Sequence, residues 1–336
     1  MTKPTILAIE SSCDETSAAV IQGGKVLSNI VATQAVHEQY GGVVPELASR
    51  AHQQHIIPVV TQALLQANVA KTELNAVAFT RGPGLLGALL VGCTFAKSFA
   101  LGLNIPLIEV NHMQAHILAH FIDEPKPVFP FLCLTVSGGH TQVVLVKNHL
   151  DMQVIGQTTD DAVGEAFDKT AKMLGLPYPG GPMLDKTAAS GNPTAYKFPI
   201  GNMPGYDFSF SGIKTSVLYF LREQTKQNPN FVQENLADIC ASVQYTLIQT
   251  LLRKLVQASK ELGIREIAIA GGVSANTGLR QTLQEYAKKQ NWQVYIPAFQ
   301  YCTDNAGMIA IAAHYQYLSG DFTDQYASPD PRMKIG

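Results

Sequence analysis

The sequence has few charged residues and almost no excess of either sign. Of 336 residues, 15% are charged, with 24 Lys and Arg against 26 Asp and Glu. This balance provides no global basic field of the kind that marks many nucleic-acid-binding proteins. It does not exclude a nucleic-acid substrate, because a local patch or a partner subunit can supply the cations. The hydrophobic content of 46% is typical of a well-buried globular protein and argues against a disordered chain.

Disulfide frameworks and long apolar runs are missing as well. Five cysteines are scattered without a CxxC pair, which indicates a protein of a reducing compartment, the cytoplasm. The N-terminal sequence MTKPTILAIE has no long apolar stretch before its acidic residue, so we expect no signal peptide. The most apolar stretch, residues 84–96, is followed by Lys97, and we predict that it is too short to span a bilayer. We therefore expect no membrane association.

Two common nucleotide-binding motifs are also missing. There is no Walker A sequence, which argues against a P-loop enzyme. The segment GGVSAN (271–276) is not GxGxxG, and no acidic residue follows at the distance expected of an NAD site. A Rossmann dinucleotide site is therefore disfavoured.

What the sequence does contain is a repeated plan. Residues 4–33 and 130–159 each predict a strand, a polar turn, a returning strand and another turn. Each is followed later by a strand, a glycine-rich loop and a helix, at 76–103 and 266–290. This order predicts α/β architecture with two similar lobes facing each other across a cleft.

Helices and loops follow from apolar periodicity and from Gly and Pro content. We predict helices over residues 46–67, 85–102, 162–175, 233–262, 277–289 and 304–318. The stretch between Lys186 and Asp207, rich in Gly, Pro, Asn and Ser, predicts irregular structure, as does EQTKQNPN at 223–230.

The two polar turns carry different chemistry. In VSGGHT (136–141), Ser137, Gly138 and Gly139 could present backbone N–H groups and a hydroxyl to a phosphate, although an ordinary hairpin turn explains them equally well. In SSCDET (11–16), Asp14 and Glu15 would repel a phosphate. These acids could instead position water, a metal or an attacking amine, and the alternative is a solvated turn.

Three further polar residues follow glycine-rich segments or lie on helices nearby. Asp168 and Asp185 are carboxylates that suit ribose hydroxyls, whereas the structural alternative for Asp168 is an ion pair with Lys172. Asn276 could read a base edge or cap the helix that follows. Together with the turns, these segments favour a nucleotide site of the actin, sugar-kinase and Hsp70 type.

A pair of histidines is spaced for one face of a helix. His112 and His116 lie four residues apart in NHMQAH, which suits a metal grip if the segment is helical. A zincin would need glutamate directly after the first histidine, where this chain has Met113. Asp304 is the candidate third ligand, and its alternative role is a helix N-cap. Two histidines with one carboxylate suit iron or zinc.

These motifs together resemble one family along essentially the whole chain. The segments, in chain order, are ESSCDETSAAV, YGGVVPELASRAH, RGPGLLGALLVG, NHMQAH, VSGGHTQ, DDAVGEAFDKTAKMLGLPYPGGP, FSFSGIKT, GGVSAN and CTDNAGMIA. They resemble the Kae/TsaD/Qri family, once labelled glycoprotease or O-sialoglycoprotein endopeptidase. The resemblance implies a duplicated actin-like (ASKHA, ribonuclease-H-like) two-lobe α/β fold. We place one lobe at 1–112 plus 300–336 and the other at 113–299.

The resemblance also implies an activity. It is transfer of a threonylcarbamoyl group from threonylcarbamoyl-AMP to N6 of the adenosine 3′ to the anticodon, in tRNAs that read ANN codons. The bacterial members work with the TsaB paralogue, as a heterodimer, and with the TsaE ATPase. One divalent metal per chain is implied, with Fe²⁺ favoured and Zn²⁺ the alternative, and the adenylate site could also accept ATP, ADP or AMP analogues.

Roles for individual residues follow from the matching motifs. The metal ligands would be His112, His116 and Asp304, and the acids implicated in activity would be Asp14 and Glu15. The adenylate would be bound by Thr135, Val136, Ser137, Gly138 and Gly139 at its phosphate and acyl end, by Asp168, Gly181 and Asp185 at the ribose, and by Asn276 at the adenosine.

Three other functions compete with this one. A small-molecule kinase of the same fold superclass would leave the histidine pair without a task. A metalloprotease of the zincin type would lack its general base. A non-catalytic scaffold would not need the metal and phosphate residues together.

Overall fold

The computed structural model describes residues 3–34, 40 and 42–335. The chain forms two compact units, the first comprising residues 1–126, 147–152 and 297–336 and the second residues 127–146 and 153–296. Both boundaries differ from those placed at residues 112 and 299. The helix that begins at His112 packs against the helix near the C-terminus, which keeps it in the first unit. Of the motif residues quoted above, Gly41 lies outside the described residues.

The first unit is built on a five-stranded mixed sheet in the order β3-β2-β1-β4-β5. Its strands are β1 (Thr5–Glu10), β2 (Thr16–Gln22), β3 (Lys25–Ala32), β4 (Ala76–Gly82) and β5 (Leu107–Asn111). The β1–β2 and β2–β3 pairs are antiparallel, and the β1–β4 and β4–β5 pairs are parallel. All six residues of β1 are buried, because helices cover this part of the sheet.

The second unit repeats this topology, with the strand order β10-β9-β6-β7-β8. Its strands are β6 (Phe131–Val136), β7 (Thr141–Val146), β8 (Met152–Gln157), β9 (Glu266–Ala270) and β10 (Gln293–Tyr295). β6 pairs with β7 in antiparallel fashion and with β9 in parallel. The duplicated plan predicted from the sequence is therefore confirmed.

The helices largely follow the sequence prediction. They are α1 (Pro45–Ala67), α2 (Leu86–Leu103), α3 (His112–Leu118), α4 (Val163–Met173), α5 (Gly180–Ala188), α6 (Ser211–Gln227), α7 (Phe231–Glu234), α8 (Leu236–Leu262), α9 (Thr277–Gln290) and α10 (Ala306–Ser319). The irregular structure assigned to 223–230 was wrong for its first five residues, which belong to α6. The predicted loop from Lys186 also begins within α5. Both helices bury an apolar face against the hydrophobic core of the second unit. That tertiary packing stabilises them although the local sequence favours helix only weakly.

Helix α2 corrects one expectation about length. At 18 residues, with a mean hydropathy of 1.7, it meets the length and composition of a membrane span. The apolar stretch identified in the sequence ended at residue 96, whereas the helix continues to Leu103. The helix packs against α1 and β4, and Lys97 Nζ donates a hydrogen bond to the Ala327 carbonyl at 2.6 Å. These contacts are those of a helix that covers a sheet.

Gly271, directly after β9, allows the backbone of the second unit to approach the end of β6 closely. Gly271 has φ 88° and ψ 168°, a backbone region that is essentially restricted to glycine. A Cβ there would lie 2.5 Å from the Val136 carbonyl oxygen at the end of β6. The glycine is therefore needed both for its dihedral angles and for the close approach of the two backbones.

We predict that Gly271→Ala lowers the free energy of unfolding by roughly 2–4 kcal/mol, because backbone strain and the clash with Val136 both act. The adjacent Gly272→Ala is the matched control, since a Cβ there meets nothing within 4 Å in the described part of the chain. It should change stability by less than about 0.5 kcal/mol. Urea titration of both variants measures the difference, and equal midpoints would contradict the assignment.

Candidate metal and nucleotide sites

The histidine pair lies on a short, capped helix. β5 ends at Asn111, whose side-chain oxygen accepts hydrogen bonds from the N–H groups of Met113 and Gln114 at 2.9 and 3.1 Å. This cap starts α3 at His112 and places His112 and His116 one turn apart. Their ring centroids lie 4.7 Å apart with an interplanar angle of 87°. The two histidines can bind one metal ion together only if the segment is helical, and it is helical in the structure.

Asp304 is brought to this pair from the other end of the chain. The N-cap of α10 is Asn305, whose side chain accepts from the Met308 N–H at 3.0 Å. The capping role considered for Asp304 is therefore filled by its neighbour. Asp304 Oδ1 instead lies 3.4 Å from His112 Nε2 and 3.2 Å from His116 Nε2.

The three side chains fit a single metal ion. Their ligand atoms all lie within 4.8 Å of one another. Two ligands bound tetrahedrally to one zinc-sized ion lie roughly 3.3–3.5 Å apart, close to the two distances observed at Asp304. A set of two imidazoles and one carboxylate is the chemistry that iron and zinc accept. The residues therefore fit a divalent transition metal, and His112, His116 and Asp304 would hold it.

A second carboxylate contacts the same cluster, and sequence reasoning missed it. Glu10, the last residue of β1, is fully buried, and its Oε2 lies 3.1 Å from His112 Nδ1. The Ser12 N–H and the Thr80 hydroxyl also donate to this carboxylate, at 2.5 and 2.6 Å. The available signal was an acid that ends an otherwise apolar strand, TILAIE, where a structural charge without a partner would be costly.

Burial and neighbouring charges set the protonation of the cluster. Burial works against ionisation of Asp304, but the positive charge of His112 and hydrogen bonds from both histidines outweigh it and hold the pKa below its usual range. The same competition lowers the pKa of Glu10 through His112. Burial opposes the charge on His112, yet Asp304 and Glu10 raise its pKa well above the ordinary value. Burial lowers the pKa of His116.

The SSCDET turn lies between β1 and β2 of the same unit. His52 holds it in place, with Nδ1 2.8 Å from the Thr16 hydroxyl and Nε2 3.0 Å from the Cys13 carbonyl. Burial, followed by the negative charges of Asp304 and Asp14, raises the pKa of Glu15 to about 9. In the metal-free protein Glu15 therefore carries a proton at neutral pH and is a hydrogen-bond donor, not a base.

The glycine turn of the second unit has an open front. Thr135 and Val136 end β6, and Ser137 O accepts from the Gly164 N–H at 3.2 Å. A Cβ at Gly164 would lie 2.6 Å from that oxygen, so the start of α4 packs directly on the turn. Among the residues that the structure describes, a Cβ at Gly138 or Gly139 would meet nothing within 4 Å, and both glycines are exposed. The turn thus has backbone support behind it and free space in front.

The remaining predicted nucleotide residues all contact helix N-termini in the structure. Asp168 Oδ1 accepts from the Gly181 N–H at 2.8 Å, in place of the ion pair considered with Lys172. Asp185 accepts from the first two N–H groups of α9, those of Thr277 and Gly278, at 2.8 and 3.3 Å.

Asn276 has the capping role that the sequence left open. Its side-chain oxygen accepts from the Leu279 N–H at 2.8 Å and thereby caps α9. Its amide donates to Gln244 Oε1 at 2.9 Å. The side chain is therefore held at both ends.

Comparison with known proteins decides the family. The profile described as "TsaD: tRNA N6-adenosine threonylcarbamoyltransferase" matches residues 25–311. The chain belongs to the TsaD family. A protein of Cytophaga hutchinsonii named tRNA N6-adenosine threonylcarbamoyltransferase is 65% identical, covering 99% of this chain and 97% of its own length. One of Porphyromonas gingivalis with the same name is 57% identical over 98% of both chains.

Solved structures agree on the fold. Component A of the Acidaminococcus fermentans (R)-2-hydroxyglutaryl-CoA dehydratase matches with a TM-score of 0.55 at 15% identity, covering 95% of this chain and 99% of that one. Full-length HypF matches with a TM-score of 0.65 at 14% identity, covering 96% of this chain and 48% of that one. The fold is thus actin-like, of the ASKHA class, as predicted.

Membership of the TsaD family gives the biochemical class. The protein is a transferase, and its function is the threonylcarbamoyladenosine modification of tRNA. The kinase alternative is not favoured. The protease alternative also lacks support in the geometry, since Met113 is buried after the first histidine and Glu109 on β5 forms an ion pair with Arg81.

We predict that Asp304→Ala abolishes stoichiometric metal binding and leaves the chain folded, because Asp304 is the one ligand outside α3 and is not the cap of α10. Metal per chain, measured by mass spectrometry of the purified protein, should fall to background, with an unchanged circular dichroism spectrum. Asp321→Ala is the control, an exposed acid just after α10. Retention of metal in Asp304→Ala at the control level would refute the ligand assignment.

A second prediction concerns pH. Because the folded-state pKa of Glu15 lies above the ordinary value of 4.5, ionising it costs stability, and the metal-free protein should lose stability as pH rises from about 4.5 to about 9. The stability of Glu15→Gln should not show this decrease, so the variant should become more stable relative to the wild type as pH rises. Urea midpoints at pH 5 and pH 8 measure the effect. Glu46→Gln, whose Glu46 side chain is 76% exposed, is the control and should show the same pH dependence of stability as the wild type. If the stability of Glu15→Gln also changes with pH as that of the wild type does, the assigned effect is disproved.

Proposed function

We propose that this protein transfers the threonylcarbamoyl group from threonylcarbamoyl-AMP to N6 of the adenosine 3′ to the anticodon in tRNAs that read ANN codons, and releases AMP. The observation that carries the proposal is the convergence of His112, His116 and Asp304 on one point, in a chain of the TsaD family. Because its substrate is tRNA, we place the activity in the cytoplasm.

One divalent metal per chain would be held by these three side chains, with Fe²⁺ preferred over Zn²⁺. When bound, such an ion supplies a Lewis acid for oxygen atoms of the donor. The residues of the chain hold both imidazole Nε2 atoms and the carboxylate together before any ion binds. This preorganisation reduces the cost of assembling the site.

The turn at Thr135–Gly139 would bind the phosphate and acyl end of the donor. Its support comes from the free space in front of Gly138 and Gly139, which allows backbone N–H groups to approach an anion. Hydrogen bonds there would favour the charge that accumulates on the departing phosphate. Adenylate analogues such as ATP, ADP and AMP would share this contact.

The ribose and the base would be bound by Asp168, Gly181, Asp185 and Asn276. Asp168 Oδ1 accepts from the Gly181 N–H, and the carboxylate would use its remaining acceptor capacity for a ribose hydroxyl. Asp185 and Asn276 are already engaged at the start of α9, so further contacts would use their remaining acceptor capacity. Their rigid placement would present the ligand with a preformed edge.

The transfer step follows from the chemistry of donor and acceptor. The adenosine amine is a weak nucleophile because its lone pair is delocalised into the ring, whereas AMP is a good leaving group. The N6–carbonyl bond forms, the bond from that carbonyl to the phosphate oxygen breaks, and one amine proton must leave. We assign Asp14 to orient the amine and accept this proton, directly or through water, with Glu15 as the neighbouring donor.

tRNA is the substrate class of the family. As working partners we propose the TsaB paralogue, in a heterodimer, and the TsaE ATPase. The near-neutral charge of this chain supports a need for cations from elsewhere, since phosphate contacts dominate tRNA affinity.

We predict that Asp14→Asn retains donor binding but reduces transfer by about 10²–10⁴-fold, the range of a lost general base. The assay combines the protein with TsaB, TsaE, threonylcarbamoyl-AMP and an ANN-reading tRNA, and measures AMP release and the modified nucleoside. Asp151→Asn, an exposed acid paired with Lys147, is the control. Full activity of Asp14→Asn would remove it from the mechanism. Product from ATP and small sugars, without modified tRNA, would instead indicate a kinase.

A further inference from the structure

A fully buried carboxylate stands directly behind the metal cluster. Glu10 ends β1, and its side chain has no exposed surface. None of the roles assigned above uses it. A buried carboxylate with no function is expensive, and it is normally found only where several donors hold it.

The donors around Glu10 are distributed unequally over its two oxygens. Oε1 receives the Ser12 N–H at 2.5 Å. Oε2 receives the Thr80 hydroxyl at 2.6 Å and faces His112 Nδ1 at 3.1 Å. An ionised carboxylate can only accept hydrogen bonds, so the proton on this side of the His112 ring must be on Nδ1.

This hydrogen bond determines which nitrogen of His112 remains for a metal. A metal binds the ring in its neutral form, and with the proton on Nδ1 the lone pair of that form is on Nε2, the atom that faces Asp304. We propose that Glu10 is a positioning residue of the metal centre, which selects the metal-binding tautomer of His112 and holds its ring in place. This inference rests on the proposed metal site and adds to it Glu10, the first residue of the ESSCDETSAAV motif, which has no role in the function proposed above.

The two histidines differ in this respect. Among the described residues, His116 Nδ1 is buried without a hydrogen-bond partner, whereas His112 Nδ1 faces both Glu10 and the Ser12 hydroxyl, the latter at 3.2 Å. On its Nδ1 side His116, which is 1% exposed, is held by packing alone, and its polar contact is the one from Nε2 to Asp304. The polar control of ligand orientation is therefore concentrated on His112.

The backbone around Ser12 explains why Glu10 can stay in place. The Ser12 carbonyl accepts from the Leu85 N–H at 2.8 Å. A Cβ at Gly84 would lie 2.5 Å from that carbonyl oxygen, so the RGPGLLG loop can approach only with glycine there. This loop therefore supports the carboxylate that supports His112.

The sharpest test is Glu10→Gln, which has nearly the same shape. Its amide oxygen should remain on the obligatory Ser12 donor, so the NH₂ group takes the position of Oε2. That group donates to His112 Nδ1, which moves the ring proton to Nε2 and blocks the metal. Partners of this kind typically affect metal affinity by about 10–100-fold. We therefore expect the Zn²⁺ dissociation constant of Glu10→Gln to be about 10–100-fold larger than that of the wild type, measured by chelator competition on the metal-free protein.

The matched control is Glu109→Gln, an acid-to-amide change on β5 of the same unit. Glu109 pairs with Arg81 at 2.5 Å and with the Thr323 hydroxyl at 3.1 Å, and it contacts no ligand. It should bind Zn²⁺ like the wild type. An equal loss of affinity in both variants would show a general structural or electrostatic effect and overturn the proposal, as would wild-type affinity in Glu10→Gln.

A measurement on the unaltered protein covers the case in which Glu10→Gln does not fold. In the ¹⁵N spectrum of the zinc-loaded wild type, His112 should carry its proton on Nδ1 and bind through Nε2. A proton on Nε2 would refute the inference. If the wild type binds no Zn²⁺ or Fe²⁺ at all, the proposed metal site fails first. If it binds metal and the Glu10 results are negative, only the present inference fails.

Discussion

The first unit depends on a cluster of buried charges that satisfy one another. Glu10 and Asp304 are carboxylates that could not remain ionised there without the two histidines between and beside them. In turn, His112 is held between both acids, through Nδ1 on one side and Nε2 on the other. The hydrogen-bonded order of the groups is that of a metal site with an outer ligand shell, because each side chain is oriented by the next one before any ion binds.

The same sheet topology carries two different chemistries. In the first unit the turn after the first strand contains the acids Asp14 and Glu15. Burial, followed by the negative charges of Asp304 and Asp14, raises the pKa of Glu15. In the second unit the equivalent turn contains Gly138 and Gly139, with space in front of the backbone. Duplication thus supplied two similar strand–turn–strand frames, and the few residues in each turn decide whether it presents carboxylates or N–H groups.

Helix capping and ligand binding use the same residue types in this protein. Asn111 and Asn305 are caps, and each lies next to a metal-ligand candidate, His112 and Asp304. The cap fixes where the helix starts, and so it fixes where the neighbouring ligand points. In the second unit Asn276 is itself both a cap and a proposed nucleotide contact. The choice between a structural and a functional role, posed by the sequence for such residues, is therefore not exclusive.

The amino-acid sequence alone was enough to predict the α/β class, the duplicated plan, most helices and the pairing of His112 with His116, because these depend on local periodicity and on neighbours along the chain. It also identified the family, through motifs spread over its whole length. It could not reveal α6, whose helix is stabilised by burial against a distant core. Nor could it show that Asn305 caps α10 and leaves Asp304 to the histidines, or that Glu10 lies behind His112. The contacts of Glu10 and Asp304 join residues about 70 to 190 positions apart, and only the packing of β1, β4, α3 and the approach to α10 brings them within hydrogen-bonding distance.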